Sequence, residues 1–119
     1  MKTLAGLKRN RELINAIDWD MTPEEAVRLY LEWGNNWARG NYVIRSKEDV
    51  SHYFVVNTWQ EKPVIYLIRR NSEEARELAR IDMPEEMATA FFRINGRFKG
   101  VFAVEGEIKS WLKKALGVS

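Results

Sequence analysis

The stretch NYVIRSKEDVSHYFVVNTWQEKPVIYLIRRN (residues 41–71) decides the fold. It is rich in Tyr, Val, Ile, Phe and Trp, the β-branched and aromatic residues that suit a pleated, half-buried surface. SKEDVS and QEKP break it as turn-like clusters. The pattern predicts three antiparallel strands, at 42–46, 52–60 and 63–70. A loop at Glu61 and Lys62 would set Trp59 opposite Val64 and Asn57 opposite Tyr66. Pro63 has no N–H for a ladder, so it is tolerated at the start of a strand but not in its middle.

Toward the N-terminus the periodicity changes. Leu4, Leu7, Leu13, Ile14 and Ile17 recur among Lys8, Arg9, Arg11 and Glu12, which predicts a helix over 3–17 with its basic residues on the polar side. A second helix opens at DMTPEEA. Thr22 is placed to cap it, Pro23 occupies the first helical position, and Glu25 completes a capping box. From there Ala26, Leu29, Tyr30, Trp33 and Trp37 keep helical spacing. Gly34 inside this stripe costs about 1 kcal/mol relative to Ala. The helix is expected to run to about residue 39 and stop at Gly40.

Beyond the strands, Ser72 reads as the cap of a helix over 72–82, with Ala75, Leu78 and Ala79 on its apolar side. DMPEEMA repeats the earlier helix-start pattern, and Met87, Ala90, Phe91 and Ile94 keep helical spacing behind it. Asn95-Gly96 either caps that helix or forms a type I′ turn, in which case 89–94 would be strand; the helix is the reading adopted. Phe98 to Val104 reads as a further strand. Glu107 to Leu116 reads as a last helix with Ile108, Trp111, Leu112 and Ala115 inward, ended by Gly117. The sum is a single α+β domain over residues 1–119: a small antiparallel sheet, a three-strand meander plus one extra strand, covered by about five helices.

Composition narrows the function classes. The 119 residues carry 19 Lys and Arg against 17 Asp and Glu, a net charge of +2, which is not the footprint of a strongly basic nucleic-acid binder. Zero cysteines exclude a disulfide framework, a thiol nucleophile and a cysteine-ligated metal. The start has no signal-peptide pattern, and the longest purely apolar run, Val64 to Ile68, is far short of the roughly 20 residues of a membrane span. A cytoplasmic protein with no membrane contact is expected.

Catalytic signatures are absent. His52 is the only histidine, and no nucleophile elbow accompanies it, so it reads as a surface histidine with a carboxylate neighbour. The pairs Asp18 and Asp20, Glu24 and Glu25, and Glu85 and Glu86 lack the spacing of a cation loop; the last two pairs suit helix starts. The glycines match neither a phosphate-binding loop nor a dinucleotide fingerprint. No cofactor, no metal and no catalytic residue are assigned.

Two candidate surfaces remain. YLEWGNNWARGNY (30–42) sets Trp37, Arg39 and Tyr42 among asparagines and glycines near the sheet edge, with Trp59 as a further neighbour. Trp, Tyr and Arg are the residues enriched at protein interfaces. FFRINGRFKGVF (91–102) interleaves phenylalanines with Arg93, Arg97 and Lys99, which supply stacking faces and phosphate partners for a single strand.

The combination of IDWDMTPEEAVRLYLEWGNNW (17–37), VIRSK (43–47) and KGVFAVEGEIKSWLKKAL (99–116) resembles small single-domain bacterial proteins catalogued as conserved hypotheticals. The likeness covers most of the chain and implies no activity, ligand or catalytic residue. The expected role is therefore a non-enzymatic protein-interaction domain at Trp37, Arg39, Tyr42 and Trp59. RNA or single-stranded nucleic-acid binding through Arg93, Arg97 and Lys99 is the alternative, and a small-molecule-binding enzyme comes after it.

Overall fold

The structure is a computed structural model that describes residues 2–22, 24–25, 50–71 and 75–118. Its centre is the hairpin of β1 (Ser51–Asn57) and β2 (Val64–Arg70). Residues 53–56 and 64–68 are buried along their whole length. Strands covered on both faces read as continuous apolar runs, and these two do. The expected strand 42–46 and most of the expected helix over 22–39 lie outside the described residues. At the start of that helix, Glu25 N–H donates to Thr22 Oγ1 at 3.2 Å, the capping contact read from the sequence.

The hairpin register differs from the expected one. Asn57 stands opposite Val64, not Tyr66, and Trp59 is beyond the end of β1. Thr58 causes the shift. Its N–H and hydroxyl bond to the chain at Phe98 and Gly100, and Asn57 Oδ1 accepts from Trp59 N–H at 2.9 Å, so the ladder stops two residues early. A two-residue slip leaves every side chain on its intended face.

Residues 75–82 form a strand, β3 (Ala75–Asp82), where a helix over 72–82 was expected. The pairing with β2 overrides a helix-favouring composition. Leu67 faces Ala79 and Ile68 faces Glu77, leaving Leu78 as an extra residue. This bulge lets Leu78 and Ala79 both pack toward the core, and that adjacency imitates a helical stripe. Farther along, buried Ala79, Ile81 and Met83 alternate with exposed Arg80 and Asp82, as a strand requires. The outer edge of β3 is closed by Lys2, whose N–H donates to Leu78 O and whose carbonyl accepts from Arg80 N–H.

The N-terminal helix is two helices, α1 (Leu4–Lys8) and α2 (Arg11–Asn15), where one was expected over 3–17. Asn10 takes a non-helical conformation, and its Oδ1 accepts from Leu13 N–H at 3.1 Å, so it starts a new helix in place of continuing the old one. Leu7 and Ile14 are still directed into the core.

Residues 85–95 form α3 (Glu85–Asn95), which resolves the helix-or-strand alternative in favour of the helix. Gly96 ends it at φ 75° and ψ −179°, a conformation open to glycine. The next strand, β4 (Val101–Ala103), is shorter than the expected 98–104 because residues 98–100 are engaged by Thr58. It pairs antiparallel with β1. Last comes α4 (Gly106–Ala115), with Ile108 and Leu112 buried and Trp111 and Ala115 half-buried on its inner side.

The result is an α+β fold: a four-stranded antiparallel sheet in the order β3-β2-β1-β4. Among the described residues four helices accompany it, against the five or so expected. One face carries Phe54, Val56, Ile65, Leu67, Ala79 and Ile81, packed on Leu7, Ile14, Phe91, Leu112 and Leu116 from the helices. The opposite face carries Tyr53, Val55, Val64, Tyr66 and Ile68, with Met21 and Val101 against it.

Candidate functional site

Two loops meet at the end of the sheet where β1 finishes and β4 begins. The first follows β1 and contains Thr58 to Lys62; the second follows α3 and contains Gly96 to Gly100. Thr58 joins them. Its N–H donates to Gly100 O at 2.9 Å, its hydroxyl donates to Phe98 O at 2.7 Å, and the same oxygen accepts from Gly100 N–H at 2.9 Å. The residue is buried, so these bonds are shielded from competing water.

On either side of this joint a large ring faces solvent. Trp59 is 61% exposed and Phe98 is 74% exposed. Gly96 supports the second ring, since a Cβ on it would stand 2.7 Å from Phe98 Cε2. Arg97 and Lys99 flank Phe98 and are exposed, as is Arg93 in the last turn of α3. The Arg97 guanidinium lies 4.7 Å from the centre of the Phe92 ring, a cation–π placement that fixes its stem and leaves its charge at the surface. Arg97 also lines a broad, shallow depression of about 950 Å³ together with Gln60, Glu61, Lys62 and Arg80. There Arg80 Nη2 donates to Gln60 Oε1 at 3.0 Å, and its Nε lies 3.6 Å from Asp82 Oδ1.

The residues expected at two separate surfaces are thereby partly merged. Trp59, expected with Trp37, Arg39 and Tyr42, stands on a loop hydrogen-bonded to the one that carries Phe98, Arg97 and Lys99. Trp37, Arg39 and Tyr42 lie outside the described residues. Sequence reasoning missed Thr58 and the exposure of Phe98. Nothing in local spacing signals either, because the Thr58–Phe98 bond spans 40 positions.

A second concavity, a cleft of about 440 Å³, opens between α3, β4 and the start of α4. Met87, Phe91, Ile94, Phe102 and Ile108 make it apolar, and Glu105 and Glu107 stand at one end. Its volume suits a small ligand. Its described lining contains two carboxylates and one amide, with neither histidine nor hydroxyl.

His52 is half-buried on β1 opposite Arg69. Burial, and then the positive charge of Arg69, lower its pKa below the ordinary imidazole value. The carboxylates nearest to it in sequence, Glu48 and Asp49, lie outside the described residues. Asp18 Oδ1 accepts from Asp20 N–H at 2.9 Å, a local turn. Among the described residues no three His, Asp or Glu side chains are grouped to hold a metal ion, and no helix is long and apolar enough to cross a membrane.

No family model, curated protein or solved structure matches this chain.

Proposed function

We propose that this chain is a cytoplasmic, non-enzymatic binding domain whose contact surface is the pair of loops carrying Trp59 and Phe98. One observation carries the reading: two large aromatic rings are held in solvent on loops that a buried threonine ties together. Ordering the loops lowers the entropy cost of using the rings in a contact. Isolated exposed hydrophobes are ordinary on protein surfaces, but two aromatic rings on coupled backbones are a stronger indication of a partner.

Two partner classes use such residues: a protein, since Trp and Arg dominate interface energetics, and a single-stranded nucleic acid, for which Arg97 and Lys99 stand on either side of the Phe98 ring. The test is affinity capture from a bacterial lysate by the wild-type chain and by the Trp59→Ala/Phe98→Ala variant, each with and without nuclease. Macromolecules retained by the wild type and lost by the folded variant support the surface. Identical eluates from both chains count against it.

A further inference from the structure

We infer that the partner at the Trp59–Phe98 surface is a single-stranded nucleic acid, its bases stacked on the two rings and its phosphates met by Arg97, Lys99, Lys62 and Arg93. The inference rests on the binding-domain reading above and names the class of ligand for it.

Charge is the first argument. Trp59 and Phe98 are accompanied by exposed Lys62, Arg93, Arg97 and Lys99, and none of these four cations forms an ion pair among the described residues. Glu61 is the one carboxylate on the two loops themselves; Asp82 and Glu85 line the adjoining depression, where Arg80 Nε lies 3.6 Å from Asp82 Oδ1. The local balance on the loops and the end of α3 is positive although the whole chain carries only +2. An anionic polymer complements such a patch.

Shape is the second. Protein interfaces place their aromatic anchors in desolvated pockets and are depleted in lysine. Here the rings stand out from loops, and lysines 62 and 99 are beside them. Rings this exposed to solvent suit a flat partner, and unpaired bases are flat on both sides. A duplex keeps its bases stacked inside, so only single strands can use both rings and cations. Stacking depends little on base identity, so weak sequence preference is expected.

The experiment is fluorescence anisotropy of a labelled oligodeoxythymidylate of about 12 nucleotides, titrated with the full chain at about 50 and about 200 mM salt. Binding is expected at the lower salt and should weaken as salt rises. Trp59→Ala and Phe98→Ala should each weaken it by about tenfold. Trp59→Phe should restore most of the loss, because a phenyl ring still stacks. Arg97→Glu with Lys99→Glu should abolish binding and flatten the salt dependence. A labelled duplex of the same length should bind much less.

No binding by the wild type at low salt overturns the inference. Binding that is equal for duplex and single strand, and unchanged by Trp59→Ala and Phe98→Ala, also overturns it, since that is adhesion to phosphates alone. If the oligonucleotide fails while the Trp59→Ala/Phe98→Ala chain still loses nuclease-resistant proteins in the capture experiment, the ligand is a protein. The binding-domain reading then survives and this inference does not. Both rings are exposed, so loss of fold is not expected to confuse these results, and circular dichroism of each variant verifies that.

Discussion

The Thr58 hydroxyl donates to the Phe98 carbonyl at 2.7 Å, linking two loops whose residues lie 40 positions apart. With Gly100 N–H donating to the Thr58 hydroxyl oxygen at 2.9 Å, one side chain holds both loops. Thr58→Val keeps the shape and removes the donor and the acceptor. It is expected to cost about 1–3 kcal/mol, because the Gly100 N–H and the Phe98 carbonyl lose a buried partner. Thr58→Ser should cost much less. Urea unfolding of the two variants checks this, and amide exchange at Gly100 should accelerate in the valine variant alone.

Gly96 is the second determinant of the surface. At φ 75° and ψ −179° it occupies a region that only glycine adopts readily, and a Cβ there would collide with the Phe98 ring. Gly96→Ala is expected to lose about 1–3 kcal/mol of stability. The exposed Phe98 ring can swing away, so the clash adds little, but the ring then leaves its place. Binding at the loops should fall more in this variant than its stability loss explains, as a titration under fully folded conditions would reveal.

Truncating both rings separates surface from core. Buried aromatic-to-alanine changes cost about 3–5 kcal/mol each. With Trp59 and Phe98 exposed as they are, the Trp59→Ala/Phe98→Ala chain should unfold within about 1 kcal/mol of the wild type. A much larger drop in the urea midpoint would place the rings in the core and remove the basis for a contact surface.

His52 gives the fold a pH dependence. Burial and Arg69 hold its folded-state pKa below the ordinary value of 6.5, so the unfolded chain binds more protons as pH falls through that value. The contribution of His52 to stability is therefore full above pH 6.5 and declines below it, down to the lowered folded pKa. His52→Gln should flatten this part of the profile. Urea midpoints of both chains at about pH 7.5 and about pH 5 check it, with the difference between chains isolating the histidine from the carboxylates.

Arg11 Nη1 donates to Leu116 O at 2.8 Å and Nη2 reaches Gly117 O at 3.4 Å. A cation at the C-terminus of α4 satisfies carbonyls the helix leaves over and complements its dipole. Arg11→Met retains the stem and loses both effects, with an expected cost of about 1 kcal/mol. Thermal melts should place this variant a few degrees below the wild type, and oligonucleotide binding should be unaffected.

These expectations follow from contacts that differ in how far sequence could foresee them. α3 and α4 were legible because their signals are local: acids after Pro84, apolar spacing, and Gly96 and Gly117 beyond the ends. β1 and β2 were legible because a strand buried on both faces is continuously apolar. β3 was not, since a bulge at Leu78 set neighbouring residues on one side and mimicked a helix. The break at Asn10 was missed because the apolar spacing carries on across it, and only the asparagine cap gives it away. Arg97 and Lys99 could be nominated from composition alone. Their association with Trp59 depends on Thr58 reaching across the sheet end, and a window of sequence carries no trace of such a bond.

The central claim is that the Trp59 and Phe98 rings touch a macromolecular partner. It is tested most directly by replacing either residue with the photo-crosslinking amino acid benzoylphenylalanine and irradiating the chain in a bacterial lysate. Lys114, exposed on α4, serves as the control position. The account predicts discrete covalent adducts from positions 59 and 98, the same partner for both, and none from position 114. Adducts of equal yield from all three positions, or from none, would contradict it.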